Sequence, residues 1–317
     1  MTTEAHSTIL VGIDGGEDGL RAVDYAADEA RRTGAHLLLA HVAAQPPQDF
    51  ALLENSEETL LRAAERAVES ARNRAEVAGV PADHVSLRVW HGTVTGTLAK
   101  ASRLANLVVL GRRGISGLER MFSGSTSTAV GARAQCPVVI VPHAWTPARH
   151  TGRVTVGLDG SARSLPALAA AVAEASWRSA ELVAVHAWEV PAPYYVDLPD
   201  VEGTLNHWRH SAELAVAEEL AGWAERHPDI PMSRVFEHGH PVGALVEHSA
   251  DSDLLVVGAR GGGGIHGLAL GSVARAVVAG SACPVMLVRR GPRTLPGVRK
   301  HRTEHRSTRT SLVALEL

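Results

Sequence analysis

The chain is predicted to be an α/β protein made of two doubly wound, parallel five-stranded sheets, one per repeat. Three observations predict this. Short apolar runs alternate with helix-like amphipathic segments over most of the 317 residues, the pattern of a parallel sheet covered by crossover helices. The whole series occurs twice. Each copy also carries the same spaced glycines where its fourth strand hands over to a helix.

Taken in order, residues 8–13 read as a first strand, followed by a helix over 18–32 with Leu20, Val23, Ala27 and Ala30 on one face and Gly34 as its stop. Residues 37–42 return as a second strand. After the Pro46-Pro47 loop, 57–77 form a long helix that turns Leu60, Leu61, Ala64, Val68 and Ala71 inward and ends at Gly79. A third strand (85–90), a short helix (94–104), a fourth strand (107–110) and a helix over 128–134 follow, and Val138–Val141 closes the half.

In the second half Asp159 matches Asp14 and His186 matches His41 at an offset of 145, whereas Gly258 matches Gly111 and Cys283 matches Cys136 at 147. The length difference therefore falls between strands two and four, where Pro191, Pro193 and Pro199 mark an irregular loop. The expected domains are 1–144 and 152–290, joined by a short proline-limited linker. Residues 291–317 form a basic tail, read as disordered and solvated.

Composition excludes several classes. Hydrophobic content of 45%, charged content of 21% and a net charge of −3 suit a globular protein and give no basis for nucleic-acid or anionic-membrane binding by its body. No apolar run approaches a membrane span and the first residues lack a signal core, so the expected location is the cytoplasm. Cys136 and Cys283 each precede a proline at the start of an apolar strand and read as small buried residues. The seventeen histidines show no ligand spacing, so no metal site of protein ligands is expected.

The glycine pattern carries the chemistry. Gly111-Arg112-Arg113-Gly114 is followed, after nine intervening residues, by Gly124-Ser125, and Gly258-Ala259-Arg260-Gly261, after nine intervening residues, by Gly271-Ser272. A glycine turn that leaves a strand and ends at a helix start gathers backbone N–H groups and the positive end of a helix dipole, so an anion is favoured there. Ser125, Thr126 and Ser272 are expected to cap the helices with a hydroxyl. Standard phosphate motifs do not fit: Lys100 and Lys300 are the only lysines and neither follows such a loop, and after the first strand the chain has Gly12-Ile13-Asp14-Gly15-Gly16 in place of a dinucleotide fingerprint.

On these residues the chain resembles the universal stress protein family, as a tandem member of its ATP-binding type. The likeness is carried by Val11-Gly12-Ile13-Asp14 and Val156-Gly157-Leu158-Asp159-Gly160-Ser161, by Ala40-His41-Val42 and Val185-His186-Ala187, by the two spaced Gly-Ser motifs, and by Cys136-Pro137-Val138-Val139 and Cys283-Pro284-Val285-Met286. It covers residues 7–290. It implies a Rossmann-like fold of the adenine nucleotide alpha hydrolase type.

The resemblance implies roles for particular residues. Asp14 and Asp159 would meet the adenine side of ATP, Gly12 and Gly157 would permit close approach, and Val42, replaced by Ala187 in the second half, would lie by the base. Gly111, Gly114, Gly258 and Gly261 would run along ribose and phosphates. Gly124, Ser125 and Thr126, then Gly271, Ser272 and Val273, would hold the phosphates. Arg112, Arg113, Ala259, Arg260, Gly262 and Gly264 complete the candidate set, with ATP as ligand, Mg as a possible companion and no catalytic residue. The family also pairs domains through the last strand, here Val138–Val141 with Val285–Val288, and tandem chains would pair further into a homodimer.

Plainer readings stand beside these. The aspartates also suit helix-start caps, His41 and His186 suit satisfied core or rim positions, the arginines suit solvated loop charges, and Trp177, Trp188, Trp208 and Trp223 suit packing. The leading functional reading is a nucleotide-dependent regulator of stress response or growth arrest with an unidentified protein partner. The alternatives are a slow ATPase or nucleotidyl-transfer enzyme, and an adaptor that needs no nucleotide.

Overall fold

The computed structural model describes residues 7–43, 56–112, 125–148, 150–189, 201–261 and 270–289. The first half runs β1 (Thr8–Ile13), α1 (Glu17–Thr33), β2 (His36–Ala43), α2 (Ser56–Val77), β3 (Val85–His91), α3 (Val94–Ala101), β4 (Leu107–Gly111), α4 (Ser125–Arg133) and β5 (Val138–Val141). The second repeats it as β6 (Arg153–Gly157), α5 (Leu165–Arg178), β7 (Glu181–Trp188), α6 (Val201–Arg226), β8 (Met232–His238), α7 (Pro241–Ser249), β9 (Leu254–Gly258), α8 (Ser272–Gly280) and β10 (Val285–Val288).

The expected pair of five-stranded sheets is joined edge to edge. Among the described residues the strands form one sheet in the order β3-β2-β1-β4-β5-β10-β9-β6-β7-β8. Every pairing within a half is parallel, and the seam between halves is antiparallel, with Val285 opposite Ile140, Met286 opposite Val139 and Leu287 opposite Val138. These two strands are buried throughout. An all-apolar strand of this kind needs cover on both faces, and here each strand also removes the other's open edge.

The strands alternate their side chains between two cores. Ile9, Val11 and Ile13 join the core under α1, α2, α5 and α6, whereas Leu10 joins the core under α3, α4, α7 and α8. Each core continues across the seam. On the second face Gly131 of α4 lies against β10 so closely that a Cβ there would stand 2.5 Å from Leu287 Cδ1.

On the first face a buried charge cluster joins α1 to α5. Arg178 donates to Glu29 Oε2 at 2.6 Å and to the Tyr25 hydroxyl at 2.9 Å, and also to Glu174. Tyr25 in turn meets Trp145 edge to face, with 5.5 Å between ring centroids.

One predicted helix is divided. The 94–104 segment is α3 followed by a 3-10 turn, Ser102–Leu104. The break has a local cause: Ser102 Oγ donates back to the Ala99 carbonyl at 2.7 Å and accepts from Gln135 N at 2.9 Å. Ser249 repeats both contacts, with the Val246 carbonyl and Ala282 N. A serine that ties back to the backbone competes with the helix ladder and here bridges to the loop before the last strand.

Candidate functional site

In each half the strand order reverses beside the first strand, which pairs with the second on one side and the fourth on the other. Crossovers leave a crevice there, at the carboxyl ends of the strands. In the second half this crevice is a cavity of about 310 Å³, within the range of small-molecule sites. Its apolar wall is Val185, Ala187, Leu245 and Val257, and its polar side is Asp159, Gly258, Arg260, Gly261, Gly271 and Ser272. Gly157 lies at its floor and Val273 at the helix end.

Local geometry builds this edge. Asp159 Oδ1 accepts from Ser161 N at 3.0 Å and from Ser161 Oγ at 2.7 Å, closing a side-chain turn. Gly160 sits inside it at φ 71, a left-handed conformation that glycine adopts without a Cβ penalty. The two parts of the glycine motif meet directly: Gly271 N donates to the Ala259 carbonyl at 2.9 Å, and Ala259 N to the Val288 carbonyl at 2.8 Å.

Gly271, extended at φ −66 and ψ 155, is the cap of α8, and no side chain caps the helix. The expected hydroxyl cap is therefore corrected. Ser272 is the first helical residue and lines the cavity. The first-turn amides, which have no intrahelical acceptor, open on the crevice with Ser272, Val273 and Ala274.

The first half is built on the same plan with different contacts. Asp14 Oδ1 accepts from Gly16 N at 3.0 Å. A Cβ on Gly111 would stand 2.1 Å from the Asp18 carbonyl oxygen, so glycine is required there by the close approach of α1. A Cβ on Gly12 would stand 2.5 Å from Leu110 Cδ2 and 3.3 Å from Leu98, so packing against Leu110 of β4, and then Leu98 of α3, accounts for that glycine. Val42 is buried, Ser125 opens α4 and Thr126 follows it, exposed.

Arg112 makes a contact that its sequence does not announce. Its guanidinium donates to the carbonyls of Val278, at 2.6 Å, and Ala279, at the end of α8 in the other half. Arg113, Gly114, Gly124, Gly262 and Gly264 lie outside the described residues.

The cavity described in the first half, about 520 Å³, lies instead between Asp14, His41 and the Leu60, Ala64, Ala67 and Ser70 face of α2. His41 Nδ1 is buried there without a hydrogen-bond partner among the described residues. His186 is only 7% exposed and its Nδ1 lies 2.9 Å from the Leu158 carbonyl, which fits the plainer reading of a satisfied histidine.

Three charged residues that act on the lining of the second crevice are not legible in the sequence. Arg163 Nη1 donates to the Gly261 carbonyl at 3.1 Å. Burial and then the charge of Asp159 raise the carboxyl of Glu219, on α6, above the usual range. Burial, and then Arg260, lower the Arg289 guanidinium. No spacing rule points to them, because each comes from a segment outside the glycine motif. Among the described residues no group of His, Cys, Asp and Glu is arranged to hold a metal ion.

These features define a class: a tandem α/β protein whose halves share one sheet, with a glycine-built crevice at the strand ends of the second half. The universal stress protein family model matches residues 6–142 and 150–289, and the chain belongs to that family. It is 37% identical over 291 residues to a universal stress protein of Mycolicibacterium smegmatis, covering 89% of this chain and 96% of the relative. It is 37% identical over 295 residues to one of Mycobacterium tuberculosis, with the same coverage. A universal stress protein from Archaeoglobus fulgidus shares the fold, with a TM-score of 0.69 at 22% identity over 90% of this chain and 97% of that one.

Proposed function

We propose that this universal stress protein binds adenine nucleotide, with ATP as the working ligand, and that occupancy sets its association with a regulatory partner in a stress or growth-arrest response. The observation that carries the reading is the second-half crevice. There an apolar wall of Val185, Ala187, Leu245 and Val257 adjoins a turn of Gly258, Gly261 and Gly271 that leads to the first turn of α8. Backbone donors and a helix dipole suit a phosphate chain, and Asp159 at the end of β6 supplies an acceptor on the same edge.

The remaining parts of the reading follow from this placement. Mg would be held by phosphate oxygens and water, since the edge offers few carboxylates. Because β5 and β10 already pair within the chain, a homodimer of tandem chains would use other surface. No helix among the described residues is long and apolar enough to cross a membrane, and we place the protein's work in the cytoplasm.

The experiment is to denature freshly purified protein, identify released nucleotide by chromatography and mass, and repeat with Gly271→Glu. Adenine nucleotide that falls by about one equivalent in the variant is the expected result. A chain that carries none and takes up none on adding ATP overturns the reading and favours a nucleotide-independent adaptor.

A further inference from the structure

We infer that Arg163 sets the preference of the second crevice for nucleotides with a long phosphate chain over those with a single phosphate. The inference rests on the adenine-nucleotide reading above and adds the residue that counts phosphates.

The two halves differ in sign at this position. Asp18 stands where the repeat offset places Arg163, and their backbones share a place beside the fourth strand. A Cβ on Gly111 would meet the Asp18 carbonyl, and the Arg163 carbonyl lies 3.9 Å from one on Gly258. Helix α1 begins at Glu17 and so contains Asp18, whereas α5 begins only at Leu165 and leaves Arg163 in the preceding turn.

That shift changes what the side chain reaches. Asp18 is held within its own half, by Arg21 and by His143 Nδ1 at 2.9 Å. Arg163 instead crosses to the Gly261 carbonyl, on the turn that lines the cavity.

The charge balance around that turn makes Arg163 decisive. Asp159 Oδ2 lies 3.1 Å from where a Gly261 Cβ would be, and Glu219 of α6 is close enough for the charge of Asp159 to act on it. A helix N-terminus contributes only about half an elementary charge, too little to hold a polyanion beside two carboxylates. Arg260, on the cavity wall, and Arg163, tied to the turn, supply the balance. The benefit grows with each charge on the ligand, because the interaction scales with the product of charges. A bond already made to Gly261 also holds the guanidinium in place before ligand arrives, which reduces the ordering cost of binding.

The test is titration calorimetry of the full chain with ATP and AMP, at low and high salt, on wild type, Arg163→Asp, Arg163→Lys and Asp18→Arg. Heat lost in Gly271→Glu identifies the second crevice, and inorganic tripolyphosphate serves as a competitor without a base. Arg163 is exposed, so its variants should melt as wild type does.

Charge reversal is expected to weaken ATP by about tenfold and AMP by about threefold or less, with the gap closing at high salt. Tripolyphosphate competition should weaken in parallel, Arg163→Lys should keep most of the ratio, and Asp18→Arg should leave second-crevice binding unchanged. Equal loss for ATP and AMP, or no loss, overturns this inference alone and makes Arg163 a shaper of the turn. A wild-type chain that binds neither nucleotide sinks this inference together with the proposed function.

Discussion

The guanidinium of Arg112, one residue beyond β4, donates to the carbonyl of Val278 at 2.6 Å, near the end of α8 in the other half. Arg289, one residue beyond β10, makes the reverse contact, donating to the Ala134 carbonyl at 3.1 Å just past α4. Each half thus supplies a cation to the negative end of the helix whose positive end opens the other half's glycine motif. The seam and the crevices share these two helices, so what loosens the seam reaches the crevice helices.

Arg112→Ala leaves the last carbonyls of α8 without this donor. A hydrogen bond to a charged group is worth about 1.5–3 kcal/mol, so denaturant unfolding should show a loss of that order, with Arg112→Lys recovering only part because an ammonium is more strongly hydrated than a guanidinium. A change below about 0.5 kcal/mol, the scatter of ordinary surface substitutions, would mean that the contact is incidental.

The cluster at α1 and α5 gives a larger expected effect. Arg178 is 6% exposed and Glu29 2%, and Glu174 shares the same guanidinium. Arg178→Met takes the ion partner from buried Glu174 and leaves buried Glu29 with Arg32, and breaking a buried pair costs about 3–5 kcal/mol. The triple variant Glu29→Gln, Glu174→Gln, Arg178→Met removes the charges together and should recover most of the loss. If the triple is no better than the single, the loss comes from packing of the long side chain and not from stranded charge.

The contrast between these contacts and the strands shows what the sequence could and could not reveal. Val138–Val141 and Val285–Val288 are legible because an uninterrupted apolar run has few places to go, and duplication placed Asp14 with Asp159 and Gly111 with Gly258 at equivalent strand ends. Arg112, Arg163, Arg178 and Arg289 were not legible as partners, because their contacts join segments about 100 or more residues apart and no local period encodes them. The cap of α8 was misjudged by one residue: in a Gly-Ser pair the propensity rule favours serine, whereas the extended backbone at Gly271 carries the cap and Ser272 starts the helix.

Gly12 and Gly157 occupy matching positions but should respond differently to alanine. A Cβ on Gly12 would stand 2.5 Å from Leu110 Cδ2, against 3.0 Å from the Leu245 methyls at Gly157. Overpacking of a filled core costs about 1–3 kcal/mol, so Gly12→Ala should sit near the top of that range and Gly157→Ala near the bottom. Thermal melts of the two variants decide it, and equal losses would show that Leu110 yields as readily as Leu245.

Glu219 predicts a dependence on pH whose sign follows from its surroundings. Burial first, and Asp159 second, raise its carboxyl above the usual 4.5, and one of its oxygens is buried without a partner among the described residues. The folded state therefore binds this proton more tightly than the unfolded state does. The associated stability is fully present below the unfolded value and is lost as pH rises through the raised one.

Glu219→Gln has no such term. Its melting temperature should gain on wild type by about 1–2 °C between pH 4 and pH 7, a small shift because the group is partly solvated. Asp159→Asn removes the second cause and should narrow the difference. Salt discriminates between the two causes: desolvation is insensitive to it, so the difference should persist in 0.5 M NaCl at about its low-salt size. A difference that vanishes in salt would make repulsion from Asp159 the main cause, and would place the two carboxylates in solvent rather than at the edge of the core.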